Sequence, residues 1–170
     1  MDDTERRSPI KLRASVSAVS VIQTVSLRPA SAADDITIRR LIRGAHLDPT
    51  NVHWQNFTCA CDAAGHIVGI AQVKPYRDCR EFGSLVVVPS WQGRGVAAAL
   101  IQHLVDAETG TVWLVCRDRL QPLYAKFGFV VAEYRARPRT LKIKTGFAAL
   151  ARLFGIRVIA MRRDRNNFRE

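Results

Sequence analysis

The sequence predicts one α+β domain, and three stretches carry that prediction. Residues 81–100 read EFGSLVVVPSWQGRGVAAAL: an apolar run, a glycine turn, then a helix-forming segment. Phe57–Cys61 and His66–Val73 are strand-like runs around Asp62-Ala63-Ala64-Gly65, and a four-residue connection with a glycine suits a hairpin. Val112–Cys116 is continuously apolar, as a strand buried on both faces is. A chain of 170 residues suits a single domain with one sizeable core.

Taken in order, residues 1–24 mix Asp2, Asp3 and Glu5 with Arg6, Arg7, Lys11 and Arg13, followed by a Ser/Val/Ala stretch. Serines interrupt the apolar part and the acids argue against a transit peptide, so this segment reads as a disordered extension. Residues 25–163 form the domain, and residues 164–170 a basic tail. Val25–Arg28 is a short first strand. Ser31 and Asp34 have capping-box spacing, with Asp in place of Glu or Gln. Ile38, Leu41, Ile42 and Ala45 then mark one face of a helix. His46–Asn51 is loop chemistry, and Val52–Asn56 suits a short helical turn whose Trp54 is expected in the core, with substrate contact by His53 or Trp54 as the alternative. Past the hairpin, a polar loop over residues 74–80 leads to the strand at Glu81. Val96–Ala107 is a helix with a broad apolar face, closed by Thr109-Gly110. Leu120–Lys126 is a short helix with Pro122 in its first turn, and Phe129–Val131 starts another strand. Phe147, Leu150, Ala151 and Phe154 keep helical spacing, and Ile156–Met161 reads as a last strand.

Charge and composition narrow the function. The net charge is +11. From Arg135 to Glu170, eleven Lys/Arg face Asp164 and Glu170, a local net of +9. Such a basic face draws in a polyanionic ligand through its field. Nucleic acid is not the expected partner, because no aromatics interleave with the basic residues. No apolar run approaches the roughly eighteen residues of a membrane span. Cys59, Cys61, Cys79 and Cys116 form no C-x-x-C pair and read as buried free thiols, so a cytoplasmic location is expected. No metal site is expected, since His46, His53, His66 and His103 are scattered singly.

The glycine turn holds the chemistry. Pro89 ends the strand because proline gives no N–H to a ladder. Gln92-Gly93-Arg94-Gly95 then opens the helix at Val96. Free N–H groups at the positive end of a helix dipole hold an anion, above all a phosphate. Gly93 to Ala98 satisfies G-x-G-x-x-G/A, the dinucleotide pattern, and Asp118 lies about where that pattern wants its ribose acid. Two features argue against it. Pro89 to Gln92 separate strand from glycine, and only about fifty residues follow Asp118, too few for the second half of a doubly wound sheet.

Gln92, Gly95 and Ala97 also satisfy Q/R-x-x-G-x-G/A, which resembles the acetyl-CoA pyrophosphate loop of the GNAT superfamily of N-acetyltransferases. Leu123-Tyr124-Ala125-Lys126-Phe127-Gly128-Phe129 resembles that family's L-Y-x-x-x-G-F segment, and Glu81 falls at its strand-borne base position. The resemblance runs from about Ser26 to Met161. It implies a mixed, mostly antiparallel, twisted sheet of about seven strands with helices on both faces. It also implies acetyl transfer from acetyl-CoA to a primary amine, small or peptidic, by direct attack in a ternary complex within a monomer or homodimer.

By that resemblance the backbone of Leu85, Val86 and Val87 runs beside the pantetheine arm like an added strand. Gln92, Gly93, Arg94, Gly95, Val96, Ala97 and Ala98 hold the pyrophosphate, with Arg94 as a charged clamp. Glu81 is the candidate general base and Tyr124 the candidate general acid. The bland alternatives are a Glu81 salt bridge to Arg77 or Arg80, and a Tyr124 whose ring is core. Many family members carry a further glutamate where this chain reads Leu114-Val115-Cys116-Arg117; here that carboxylate is missing. A non-catalytic acetyl-CoA-binding module, with its basic tail on nucleic acid or a membrane surface, is the alternative of a different class.

Overall fold

Seven strands build one sheet: β1 (Ser26–Pro29), β2 (Phe57–Cys61), β3 (Ile67–Pro75), β4 (Arg80–Val87), β5 (Val112–Arg117), β6 (Val130–Val131) and β7 (Val158–Arg163). They come from a computed structural model that describes residues 25–148, 155 and 157–165. The spatial order is β1-β2-β3-β4-β5-β7-β6. Only β4 and β5 run parallel; every other neighbouring pair is antiparallel. That topology removes the dinucleotide alternative, which needs a parallel doubly wound sheet.

The hairpin forms as its turn chemistry requires. Asp62 Oδ1 accepts from the N–H groups of Ala64 and His66, and Gly65 supplies a φ of 85°. Side chains on a strand alternate between faces, and β2 divides its residues accordingly. Cys59 and Cys61 pack with Ile38 and Ile42 of α1 (Asp35–Gly44), whereas Ala60 packs with Leu100 and Ile101 of α2 (Val96–Asp106). Helices therefore cover both faces, as the sequence predicts. α2 lies so close to β3 that a Cβ on Gly69 would meet Val96 Cγ1 at 2.9 Å.

On the α2 side, α3 (Gln121–Ala125) adds Tyr124, whose ring makes edge contacts with Phe82 and Phe129. On the α1 side, α4 (Arg139–Ala148) seats Leu141 against Trp113 and Ala132. The sequence reading places helical spacing later, over Phe147, Leu150, Ala151 and Phe154. Beyond the backbone of α4 that stretch lies outside the described residues, as do residues 1–24 and 166–170. The turn at Trp54–Asn56 is a single 3₁₀ turn, with Trp54 packed against the α1 cluster and His53 exposed. The Ser31/Asp34 box forms with one change. Asp34 Oδ2 accepts from both the N–H and the hydroxyl of Ser31, while Arg28 grips the same carboxylate at 2.8 and 2.9 Å.

Candidate active site

The site begins where the sheet opens. β4 and β5 pair only through Arg80–Val112, Glu81–Trp113 and Phe82–Leu114. Beyond Phe82, β4 stays with β3 and β5 stays with β7, so the two parallel neighbours part company. A bulge at Ser84-Leu85, opposite Ala71, starts the divergence, with Ser84 at φ 53° in the left-handed region. Such a conformation in a non-glycine residue is uncommon. The buried Gln72 amide holds it in place by donating to Ser84 Oγ at 2.8 Å.

A cleft of about 530 Å³ fills the opening, lined among others by Phe82, Gly83, Ser84, Leu85, Cys116 and Tyr124. The β5-facing backbone of β4 past Phe82 has no strand partner there, which leaves its polar groups available to an extended ligand. Leu85, Val86 and Val87 supply that edge. Gln92 Nε2 uses one of its acceptors, donating to the Val87 carbonyl at 3.0 Å.

At the far end of β4, Pro89–Trp91 makes a 3₁₀ turn and the chain enters α2 through two left-handed glycines, Gly93 (φ 74°) and Gly95 (φ 83°). A Cβ at either would meet nothing within 4 Å, so the turn needs glycine for its conformation and leaves open space above it. The first intrahelical bond of α2 runs from Ala99 N–H to Gly95 C=O, so the N–H groups of Val96, Ala97 and Ala98 precede the ladder. Donors so placed at a helix N-terminus are of the kind that can hold an anion. The Arg94 guanidinium lies 5.3 Å from the Trp91 ring centroid, a cation–π contact at the lip of the turn.

Tyr124 is 7% exposed and lines the cleft from the α3 side. Burial, helped by the Cys116 sulfur, pushes its phenol up to about 12. Burial likewise raises Cys116 to about 11, so both groups keep their protons at neutral pH.

Glu81 lies on the other face of β4, in a second cleft of about 370 Å³ that shares Leu47, Asp48, Gly83, Ser84 and Val115 with the first. The expected partners, Arg77 or Arg80, do not hold it. Arg80 turns to Glu108 at 2.6 Å, and Glu81 Oε2 instead accepts from Lys144 of α4 at 2.6 Å. The Lys144 ammonium also donates to Tyr76 Oη at 2.6 Å and lies 4.6 Å from that ring's centroid. Burial alone would lower the Lys144 pKa; its hydrogen bonds to Glu81 and Tyr76 outweigh burial and the net shift is upward.

Lys74 is paired in register with Glu81 and lines the same cleft at 3% exposure, its nearest carboxylate being Asp48 at 3.9 Å. Burial, together with the Lys144 charge, lowers its pKa despite the opposing Glu81 and Asp48 charges. Lys74, Lys144 and Asp48 were not singled out in the sequence. The one available signal was strand alternation, which sets Lys74 on the same face as Gln72.

Known proteins share this fold. Residues 53–131 match the family model of the acetyltransferase (GNAT) domain. That stretch of the chain is similar to the GNAT acetyltransferase domain, and the fold is that of solved acetyltransferases. N-acetylglutamate synthase from Neisseria gonorrhoeae, complexed with coenzyme A and N-acetyl-glutamate, superposes with a TM-score of 0.68 at 23% identity over 83% of this chain and 35% of that one. A Mycobacterium tuberculosis protein in complex with CoA gives 0.61 at 17% identity, covering 82% of this chain and 98% of that one. Ard1 from Thermoplasma volcanium gives 0.59 at 17% identity, covering 82% and 97%. The chain thus spans about a third of the length of the Neisseria enzyme. No curated protein matches the sequence significantly. Among the described residues no cluster of three or more His, Cys, Asp or Glu is placed to hold a metal, and no helix is long and apolar enough to cross a membrane.

Proposed function

We propose that this chain transfers an acetyl group from acetyl-CoA to a primary amine by direct attack in a ternary complex. The observation that carries the reading is the opening between β4 and β5, whose cleft is lined by Leu85 and Tyr124 and shares Gly83-Ser84 with the Glu81 cleft, while β4 itself leads on to the glycine turn of α2. The pyrophosphate lies on the N–H groups of Val96, Ala97 and Ala98, over Gly93 and Gly95, with Gln92 bracing the turn and Arg94 countering charge. The pantetheine arm takes the vacant edge of Leu85, Val86 and Val87 as an added strand would. Its thioester then lies at the bulge.

An amine attacks only when neutral, and an ordinary lysine-type amine is charged at pH 7, with a pKa of about 10.4. Glu81 takes the proton, directly or through one water. Lys144 donates to Oε2 and fixes the carboxylate, and Oε1 is the oxygen assigned to take the proton. The nitrogen lone pair forms the new C–N bond at the thioester carbonyl. Collapse of the tetrahedral centre breaks the C–S bond, and the departing thiolate takes the Tyr124 proton, which solvent replaces. The buried phenol suits that role because it holds its proton at neutral pH.

Calorimetric titration with acetyl-CoA, followed by thiol release across a panel of amines, tests the reading. Submicromolar to micromolar binding with acceptor-dependent thiol release is expected. Absence of acetyl-CoA binding would remove it.

A further inference from the structure

The cleft on the Glu81 side has a charge pattern that selects among amines. Two ammonium groups, Lys74 and Lys144, line it with two carboxylates, Glu81 and Asp48. Lys144 is satisfied by Glu81 and Tyr76. Lys74 is held more loosely: the residue is 97% removed from solvent, yet its nearest carboxylate among the described residues is Asp48 at 3.9 Å, itself an exposed loop residue. An ammonium desolvated with so loose a partner costs free energy. A ligand carboxylate would relieve that cost by supplying charge-assisted hydrogen bonds.

We propose that the acceptor is a free α-amino acid, its carboxylate bound by the Lys74 ammonium and its amino group beside Glu81 and Ser84 at the β4–β5 opening. The inference rests on the acetyl-transfer reading above. Geometry supports the short spacing. Lys74 and Glu81 are directly opposite in the antiparallel ladder, so a group held by one is within a few ångströms of the other. Charge supports the zwitterion. The four cleft charges sum to zero, and a zwitterion keeps that balance while a polyamine or other polycation meets two fixed ammonium groups. A peptide N-terminus offers a neutral amide where Lys74 calls for an anion. The lowered Lys74 pKa agrees: an incoming carboxylate raises it again, so capture weakens as pH rises through the Lys74 titration.

The test uses the full chain with acetyl-CoA, the twenty free α-amino acids, their α-carboxamides and spermidine, read by thiol release. At least one amino acid should be acetylated with kcat/KM at least tenfold above that of its own carboxamide. Lys74→Met should reduce that ratio toward one, chiefly through KM, and Lys74→Arg should restore part of it. Lys74→Gln, with a polar tip, replaces Lys74→Met if the latter does not fold, and calorimetric affinity for acetyl-CoA reports an intact cofactor site in each variant. If acetyl-CoA binds but carboxamides or spermidine serve equally well, or no amino acid is acetylated, the inference falls and the cofactor reading stands. A Lys74→Met effect on kcat alone, with the acid-to-amide ratio unchanged, also overturns it. Failure of the parent chain to bind acetyl-CoA removes both.

Discussion

Lys144 Nζ lies 2.6 Å from Glu81 Oε2, so the helix α4 is tied to the strand β4 at the cleft that both residues line. The carboxylate is nearly buried and the ammonium about three-quarters so. Lys144→Met should strand Glu81 without its partner and cost on the order of 2–3 kcal/mol, read from urea unfolding at pH 7. The pH dependence has a definite sign. Lys144 binds its proton more tightly folded than unfolded, so the pair's contribution is full below about pH 10 and is lost as pH rises through the raised folded pKa. Parent and variant stabilities should converge on the alkaline side, and a constant gap to pH 12 would refute the pairing.

Glu81→Gln separates base from brace. Glutamine still accepts a hydrogen bond from Lys144 and keeps the side-chain shape. The transfer rate at neutral pH should fall by about 10²–10⁴, the usual span for general-base catalysis. Raising the pH should recover much of the loss, because the amine then deprotonates unaided. An unaltered pH–rate profile would make Glu81 a structural residue, with catalysis resting on positioning.

Gly95→Val tests the pyrophosphate turn against its own backbone strain. A branched side chain at φ 83° costs roughly 1–2 kcal/mol wherever it occurs. Gly65, at φ 85° in the β2–β3 turn, is the matched control, remote from the glycine turn. Both valine variants should lose similar stability. Only Gly95→Val should weaken acetyl-CoA, by at least tenfold, about 1.4 kcal/mol in a calorimetric titration. Equal affinity in both variants would remove the phosphate-loop assignment.

Much of this architecture was legible because local chemistry and global fold agree. The Asp62–Gly65 turn, the apolar face of α2 and the glycines at its N-terminus each have one easy reading. α4 does not. Its sequence, RTLKIKTGFA, puts Leu141 among three basic residues and a glycine, and among the described side chains, residues 139–146, only Leu141 is wholly buried. A single buried side chain over residues 139–146 leaves almost no periodicity to detect there. Lys144 escaped notice for the same reason: it reads as one more charge in a basic tail, yet its stem runs along the protein to a buried carboxylate. The tail's charge is also less free than its sequence suggests. Arg157, Arg162 and Arg163 pair with Asp118, Asp164 and Asp106. Long-range steering of a polyanion by this region should therefore be moderate. The Ser84 bulge and the parting of β4 from β5 are tertiary facts, legible only through family resemblance.

Lys74→Met should exchange function for stability. A buried ammonium with a lowered pKa means that the unfolded chain holds its proton more tightly, so folding carries a cost at neutral pH that shrinks as pH rises toward 10. Methionine fills similar volume without the charge. The variant should be more stable than the parent by about 1 kcal/mol at pH 7, with the difference narrowing in alkali. A destabilised variant at pH 7 would mean that Asp48 and Glu81 repay the burial of Lys74 in full.

Tyr124→Phe isolates one proton. The ring packs edge-on against Phe82 and Phe129, contacts phenylalanine keeps, so the fold and the acetyl-CoA affinity should be nearly unchanged. If the hydroxyl protonates the leaving thiolate, kcat and kcat/KM should fall together by roughly 10²-fold, because the interaction exists only in the transition state. The parent's pH profile adds a second check. With its phenol pushed up to about 12, Tyr124 stays protonated through the working range, so no alkaline loss of rate should arise from it below about pH 11. Acetyl thioester donors with better-leaving thiols should shrink the Tyr124→Phe effect, since a stabilised thiolate needs no proton to depart. Equal turnover by parent and variant with acetyl-CoA itself would reduce Tyr124 to a core aromatic at the floor of the cleft.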